Sequence, residues 1–152
     1  MKFQAMVLCV VACLASGAFA QGPPSGESAK SPDATRFDGT WGVTLTCPDF
    51  KDAGVGAKGY ALRFLMDVKD GVLNGQYGRE GAPGWLKYEG RVQPDGTAEI
   101  QARGLTGDPN TAVDRVRQGT PYTYRMKAQF EGTRGRGTRL DLRPCEAVFV
   151  KQ

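Results

Sequence analysis

Five tyrosines, a widely separated pair of cysteines and the complete lack of histidine limit the chemistry this chain can do. Without histidine, and with no serine after Ser31, neither a Ser-His-Asp nor a Cys-His nucleophile can be assembled in the folded domain. A His-ligated zinc is excluded for the same reason. Cys47 and Cys145 lie near the two ends of the domain and are expected to form a disulfide, which removes thiolate chemistry too. Carboxylates, Thr, Tyr, Lys and Arg remain. The expectation is a non-enzymatic protein with no cofactor and no metal.

The other motifs lead to the same expectation. Paired carboxylates could run glycoside hydrolysis, but Asp67, Glu89, Glu99, Glu131 and Asp141 fall on outward strand positions or in turns. Glu80, in a glycine-rich loop, is the one acid placed where it could act, and such acids are usually solvated. Gly54-Val55-Gly56-Ala57-Lys58-Gly59 matches the dinucleotide fingerprint in letters only, because Tyr60 to Val68 alternates as a strand where that motif needs a helix. Arg134-Gly135-Arg136-Gly137 reads as a solvated hairpin loop, not a nucleic-acid tract. The net charge is +4, concentrated in the C-terminal third without a continuous basic run, so no nucleic-acid partner is expected.

The elements that must position these residues begin after an export signal. Met1-Lys2, the apolar stretch Ala5 to Ala15 and Ala18-Phe19-Ala20 form a signal peptide at residues 1–20. The apolar run is too short to cross a bilayer, which takes roughly 20 residues. Val10-Val11-Ala12-Cys13 also loosely fits a lipid-attachment box, which leaves a lipoprotein as the alternative. Otherwise the product is periplasmic or secreted. Residues 21–36, rich in Pro, Gly, Ser and Ala, read as a flexible leader, and residues 37–152 as a single domain.

That domain alternates with period two between glycine-bearing turns, the signature of short strands. Eight are expected, at 40–47, 60–69, 72–79, 85–93, 97–105, 121–131, 138–143 and 145–151, with one or two helical turns within 110–118. Asp70-Gly71 suits a two-residue primed hairpin that sets Val68 opposite Leu73, Met66 opposite Gly75 and Phe64 opposite Tyr77. Pro94-Asp95-Gly96 suits a three-residue hairpin that sets Val92 opposite Ala98, Gly90 opposite Ile100 and Tyr88 opposite Ala102. Placing Cys47 opposite Cys145 pairs Leu45 with Ala147 and Val43 with Phe149. The first and last strands then close an all-β, eight-stranded antiparallel up-and-down barrel. A β-sandwich is the alternative.

Closure gathers the long segments 48–59, 80–84 and 106–120 at one end of the barrel. Tyr60, Tyr77, Tyr88, Tyr122 and Tyr124 all have inward parity near that end, with Arg79 and Trp85 beside them at the rim. Met66, Val68, Leu73, Val92, Ile100, Phe130 and Leu140 are expected to fill the other end. A tyrosine at a wet rim buries its ring and keeps its hydroxyl hydrated, so these rings serve either the core or a ligand.

Phe37-Asp38-Gly39-Thr40-Trp41 opens the first strand with Gly-x-Trp, which resembles the start of calycin barrels such as lipocalins and avidins. The resemblance implies a small ligand-holding barrel. The helix that follows the barrel in lipocalins and the tryptophan-rich pocket of avidins have no counterpart here, so no binding residue is carried over. Gly39-Thr40-Trp41, Cys47-Pro48, Leu105-Thr106-Gly107-Asp108-Pro109 and Arg143-Pro144-Cys145 together resemble a group of exported bacterial proteins of unassigned function. The expected function is binding of a small molecule or glycan fragment at the long-loop end. The alternative is an inhibitor or interaction protein acting on a secreted or periplasmic enzyme.

Overall fold

The computed structural model describes residues 34–52 and 55–152. The expected signal peptide, with Cys9 and Cys13, and most of the expected leader lie outside them. Among the described residues ten strands form: β1 (Gly39–Cys47), β2 (Phe50–Asp52), β3 (Val55–Ala57), β4 (Tyr60–Lys69), β5 (Val72–Tyr77), β6 (Leu86–Val92), β7 (Thr97–Leu105), β8 (Pro121–Glu131), β9 (Arg134–Arg139) and β10 (Glu146–Lys151). Eight of them close a barrel in the order β1-β10-β9-β8-β7-β6-β5-β4, with antiparallel pairing throughout. The sandwich alternative is thereby set aside. β2 and β3 form a small separate hairpin within the first long segment, 48–59.

Turn chemistry places the two hairpins as expected. Asp70 and Gly71 both take positive φ, 54° and 72°, as a primed two-residue turn requires. Val68 faces Leu73 and Met66 faces Gly75. The Asp38 carboxylate accepts from the Asp70 and Gly71 N–H groups at 2.9 and 3.1 Å and pins this turn to the start of β1. The β4–β5 ladder ends at Leu65–Gln76, so Phe64 and Tyr77 lie just past the paired strands and meet through their rings, 6.4 Å apart. In the second hairpin Val92 faces Ala98, Gly90 faces Ile100 and Tyr88 faces Ala102. Gly96 has φ 88°, and a Cβ there would sit 2.1 Å from the Phe130 carbonyl oxygen.

Closure follows the expected register, Leu45 with Ala147 and Val43 with Phe149. Cys47 and Cys145 are disulfide-bonded beside it. Trp41 is fully buried and its indole N–H donates to the Phe37 carbonyl at 2.9 Å. Phe37 ends a 3-10 turn, Ala34–Phe37, and packs with Trp41, Phe130 and Phe149 into an aromatic plug at the short-turn end. Residues Pro109–Thr111 and Val113–Arg115 form two 3-10 turns in the segment expected to hold one or two helical turns.

One strand lies elsewhere than expected. The penultimate barrel strand spans Arg134–Arg139, not 138–143, so Arg134-Gly135-Arg136-Gly137 is strand rather than hairpin loop. Its inward positions are Gly135 and Gly137, where a Cβ would lie 2.9 Å from the Phe130 ring and 2.8 Å from the Met126 sulfur. Bulky neighbours occupy the space that side chains of β9 would need, so the strand has no apolar alternation to read. Leu140, expected in the core, lies past the strand and is 43% exposed.

Free-thiol titration of the native protein is expected to find neither Cys47 nor Cys145 reactive. The bridge spans 98 residues and contributes up to about 4–5 kcal/mol on the chain-entropy account. Gly71→Val should destabilise by about 1 kcal/mol or more through its positive φ. Gly96→Val should cost more, because it adds a backbone collision. Chemical denaturation measures both, and variants matching wild type would contradict these turn assignments.

Candidate functional site

The inward tyrosines sort into two layers at the long-loop end. Tyr88 and Tyr124 are the floor. They are 0% and 3% exposed, their hydroxyls lie 3.0 Å apart, and their rings meet edge to face at 6.3 Å. Phe64 packs on Tyr88 at 5.3 Å. The paired hydroxyls satisfy each other in an otherwise apolar interior, as buried polar groups must. Burial pushes both phenols well above the usual tyrosine range; the bond from Tyr124 partly opposes this for Tyr88, while the neighbouring Tyr88 adds to it for Tyr124.

Above that floor, Tyr60, Tyr77 and Tyr122 line an open cleft of about 540 Å³. Tyr60 sits opposite Cys47, so the disulfide edge of the barrel fixes its position. Tyr122 lies parallel to Tyr124, 6.1 Å between centroids. Leu62, Arg139, Leu142, Arg143 and parts of the 105–116 loop, Asp108 among them, form the rest of its walls. The expected tyrosine mouth is therefore half cleft and half floor. Arg79 is exposed and does not line the cleft. Neither does Trp85, which is buried under Arg103, the guanidinium 5.2 Å from its ring centroid. Glu89 and Glu80 hold Arg103 at 3.2 and 4.0 Å. Glu80 is thus an exposed ion-pair partner, and the acid that lines the cleft is Asp108.

Arg143 organises the walls. It is 2% exposed, and its terminal nitrogens donate to the carbonyls of Thr111, Pro48 and Lys58 at 2.5–2.6 Å. One guanidinium thus ties together three points on two long loops, next to the Cys145 bridge. Lys58 N–H donates to the Asn110 carbonyl at 2.8 Å, joining the same loops directly. Asp49 accepts from the Gly59 N–H, and Asp108 caps the 109–111 turn through the Asn110 N–H. Burial draws the Arg143 pKa below its ordinary value, with neighbouring Arg139 acting in the same direction and Tyr60 against it. Such a network pre-forms the cleft rather than leaving it to a ligand to order.

Arg139 and Arg143 belong to the basic C-terminal third but are not among the expected site residues. Arg143 carried a readable signal in its position two residues before Cys145. Arg139 would have been found only by extending the inward series Gly135, Gly137, Arg139 in the correct register. A second groove, about 720 Å³, lies between the β2–β3 hairpin and the 110–115 turns. Its walls include Asp49, Lys51, Asp52, Lys58, Asp114 and Arg115 and none of the tyrosines, so it is a charged crevice outside the barrel.

No protein family, curated protein or solved structure gives a significant match to this chain.

Two outcomes follow from this geometry. Arg143→Met should lower stability by about 2–4 kcal/mol, since it strips donors from three carbonyls at once; urea unfolding measures it. Tyr60, Tyr88, Tyr122 and Tyr124 all have raised phenol pKa values with burial as the main cause. A raised folded-state pKa gives stability that is complete below the unfolded tyrosine value near 10 and is lost as pH rises through the folded one. Spectrophotometric titration should therefore show these four phenols ionising together with alkaline unfolding, not independently at the free-tyrosine pKa.

Proposed function

We propose that this protein is a non-enzymatic binder of a small molecule or glycan fragment, working after export from the cytoplasm. The supporting observation is the roughly 540 Å³ cleft at the barrel mouth, walled by Tyr60, Tyr77 and Tyr122 over the closed floor of Tyr88 and Tyr124. Its volume falls in the range of small-ligand sites. Rings offering apolar faces and hydroxyl tips suit a flat, partly polar ligand, and each costs little side-chain entropy to hold. The calycin-like layout belongs to this same reading, as a small barrel with its site at one mouth. The Cys47–Cys145 bridge is consistent with an oxidising compartment. Among the described residues no helix is long and apolar enough to cross a membrane.

A second reading, an inhibitor or interaction protein, draws on the rim. Leu142 is 69% exposed and holds a positive φ of 52°. Such a conformation is strained for a leucine, and Val116 stands exposed on the same cleft. A strained apolar side chain held out at a rim suits contact with a protein surface.

A thermal-shift screen of small polar aromatics and sugar derivatives, followed by calorimetry, separates the two. For a small-molecule site, Tyr122→Ala should weaken binding by about 1–3 kcal/mol, while Leu142→Asp has little effect. Absence of any ligand, with a protein partner lost on Leu142→Asp, would replace the first reading by the second.

A further inference from the structure

Arg139 is the side chain in the cleft that the fold does not account for. It occupies the inward series of β9, where the preceding positions are glycines, and its guanidinium carbon lies 4.3 Å from the Tyr124 ring centroid. Its Nε is buried without a hydrogen-bond partner. Among the described residues no salt bridge involves it. Arg143 lines the same cleft, its terminal nitrogens engaged by three carbonyls and its own Nε buried and unpartnered.

The acid among the lining residues does not balance this charge. Asp108 is exposed, and its Oδ1 already accepts from the Asn110 N–H and side-chain amide. Two guanidinium groups therefore share a partly enclosed space with no carboxylate paired to either. An unpaired buried donor costs stability, and an unpaired charge costs more. A residue that breaks this rule at a concave site points to function. The faces of Tyr124 and Tyr60 attract the two guanidinium groups, whose carbons lie 4.3 and 5.1 Å from the ring centroids, but a ring supplies no counter-ion, so the net positive charge of the cleft remains.

We propose that the cleft takes a small organic carboxylate, its two oxygens held by parallel N–H bonds from Arg139 and its body lying against Tyr60 and Tyr122. This rests on the binding reading above and narrows it to an anion. Because Arg143 has its terminal nitrogens committed to loop carbonyls, Arg139 is, among the described residues lining the cleft, the guanidinium left to present a fork. A planar fork matches a planar carboxylate in two-point contact. Tyrosine hydroxyls nearby offer neutral donors for further oxygens, as on a sugar acid.

The test titrates benzoate and glucuronate calorimetrically against the oxidised protein, each beside its neutral counterpart, benzamide or glucose. At least one carboxylate should bind about tenfold or more tightly than its neutral counterpart, and added salt should weaken it. Arg139→Gln should abolish that preference while the melting temperature stays level or rises, because it removes an unpartnered buried donor. A merely structural arginine would instead lower it. As a second readout, arginine-labelled wild type should show one Nε–Hε NMR signal moving on benzoate addition, assigned to Arg139 by its loss in the conservative variant Arg139→Lys. Equal binding of acid and neutral compounds would overturn the anion assignment and leave the cleft reading standing. Tighter binding of inorganic phosphate than of either carboxylate would also overturn it. Binding of none of these compounds would overturn both.

Discussion

Pairing of β10 with β1 is the constraint on which the rest of this molecule depends. It satisfies the hydrogen-bonding groups that would otherwise line two open sheet edges, and the Cys47–Cys145 bridge holds it at the long-loop end. The same closure positions the site. Tyr60 lies opposite Cys47, and Arg143 precedes Cys145 by two residues, so both reach the mouth from the stapled edge. From there Arg143 draws in the carbonyls of Pro48, Lys58 and Thr111. Covalent closure, loop anchoring and the cleft wall are thus one continuous arrangement.

The two ends of the barrel show opposite physical character. At the short-turn end Phe37, Trp41, Phe130 and Phe149 interlock, and the Trp41 indole N–H is satisfied by a carbonyl. At the other end the rings carry hydroxyls, the lowest pair bonded to each other and the upper three facing the cleft. Polarity rises stepwise from plug to floor to mouth, and the two inward guanidinium groups lie at the polar extreme. The mouth holds the groups whose burial is least favourable, which is where a binding site is best placed.

Much of this was legible in the sequence, for identifiable reasons. Asp70-Gly71 and Pro94-Asp95-Gly96 combine turn chemistry with strict alternation on both sides, so turn and pleat each specify the same register. The cysteines then fixed the pairing of the outer strands. β9 escaped because its inward residues are glycines beneath Phe130 and Met126, and a strand without apolar alternation looks like a loop. That misplacement hid Arg139 as well, since its inward direction depends on the register. Parity also gave the direction of the tyrosines but not their depth, so Tyr88 and Tyr124 could not be told from Tyr60, Tyr77 and Tyr122. Depth depends on barrel stagger, which only the closed structure supplies.

Fragment soaking of crystals tests most directly whether the tyrosine mouth is the place where a ligand sits. A chemically mixed fragment library soaked into the oxidised protein should give density clustered between Tyr60, Tyr122 and Arg139. Acidic fragments should be over-represented there. Density found only in the charged crevice beside the β2–β3 hairpin, or on the outer strand faces with the mouth left vacant, would contradict it.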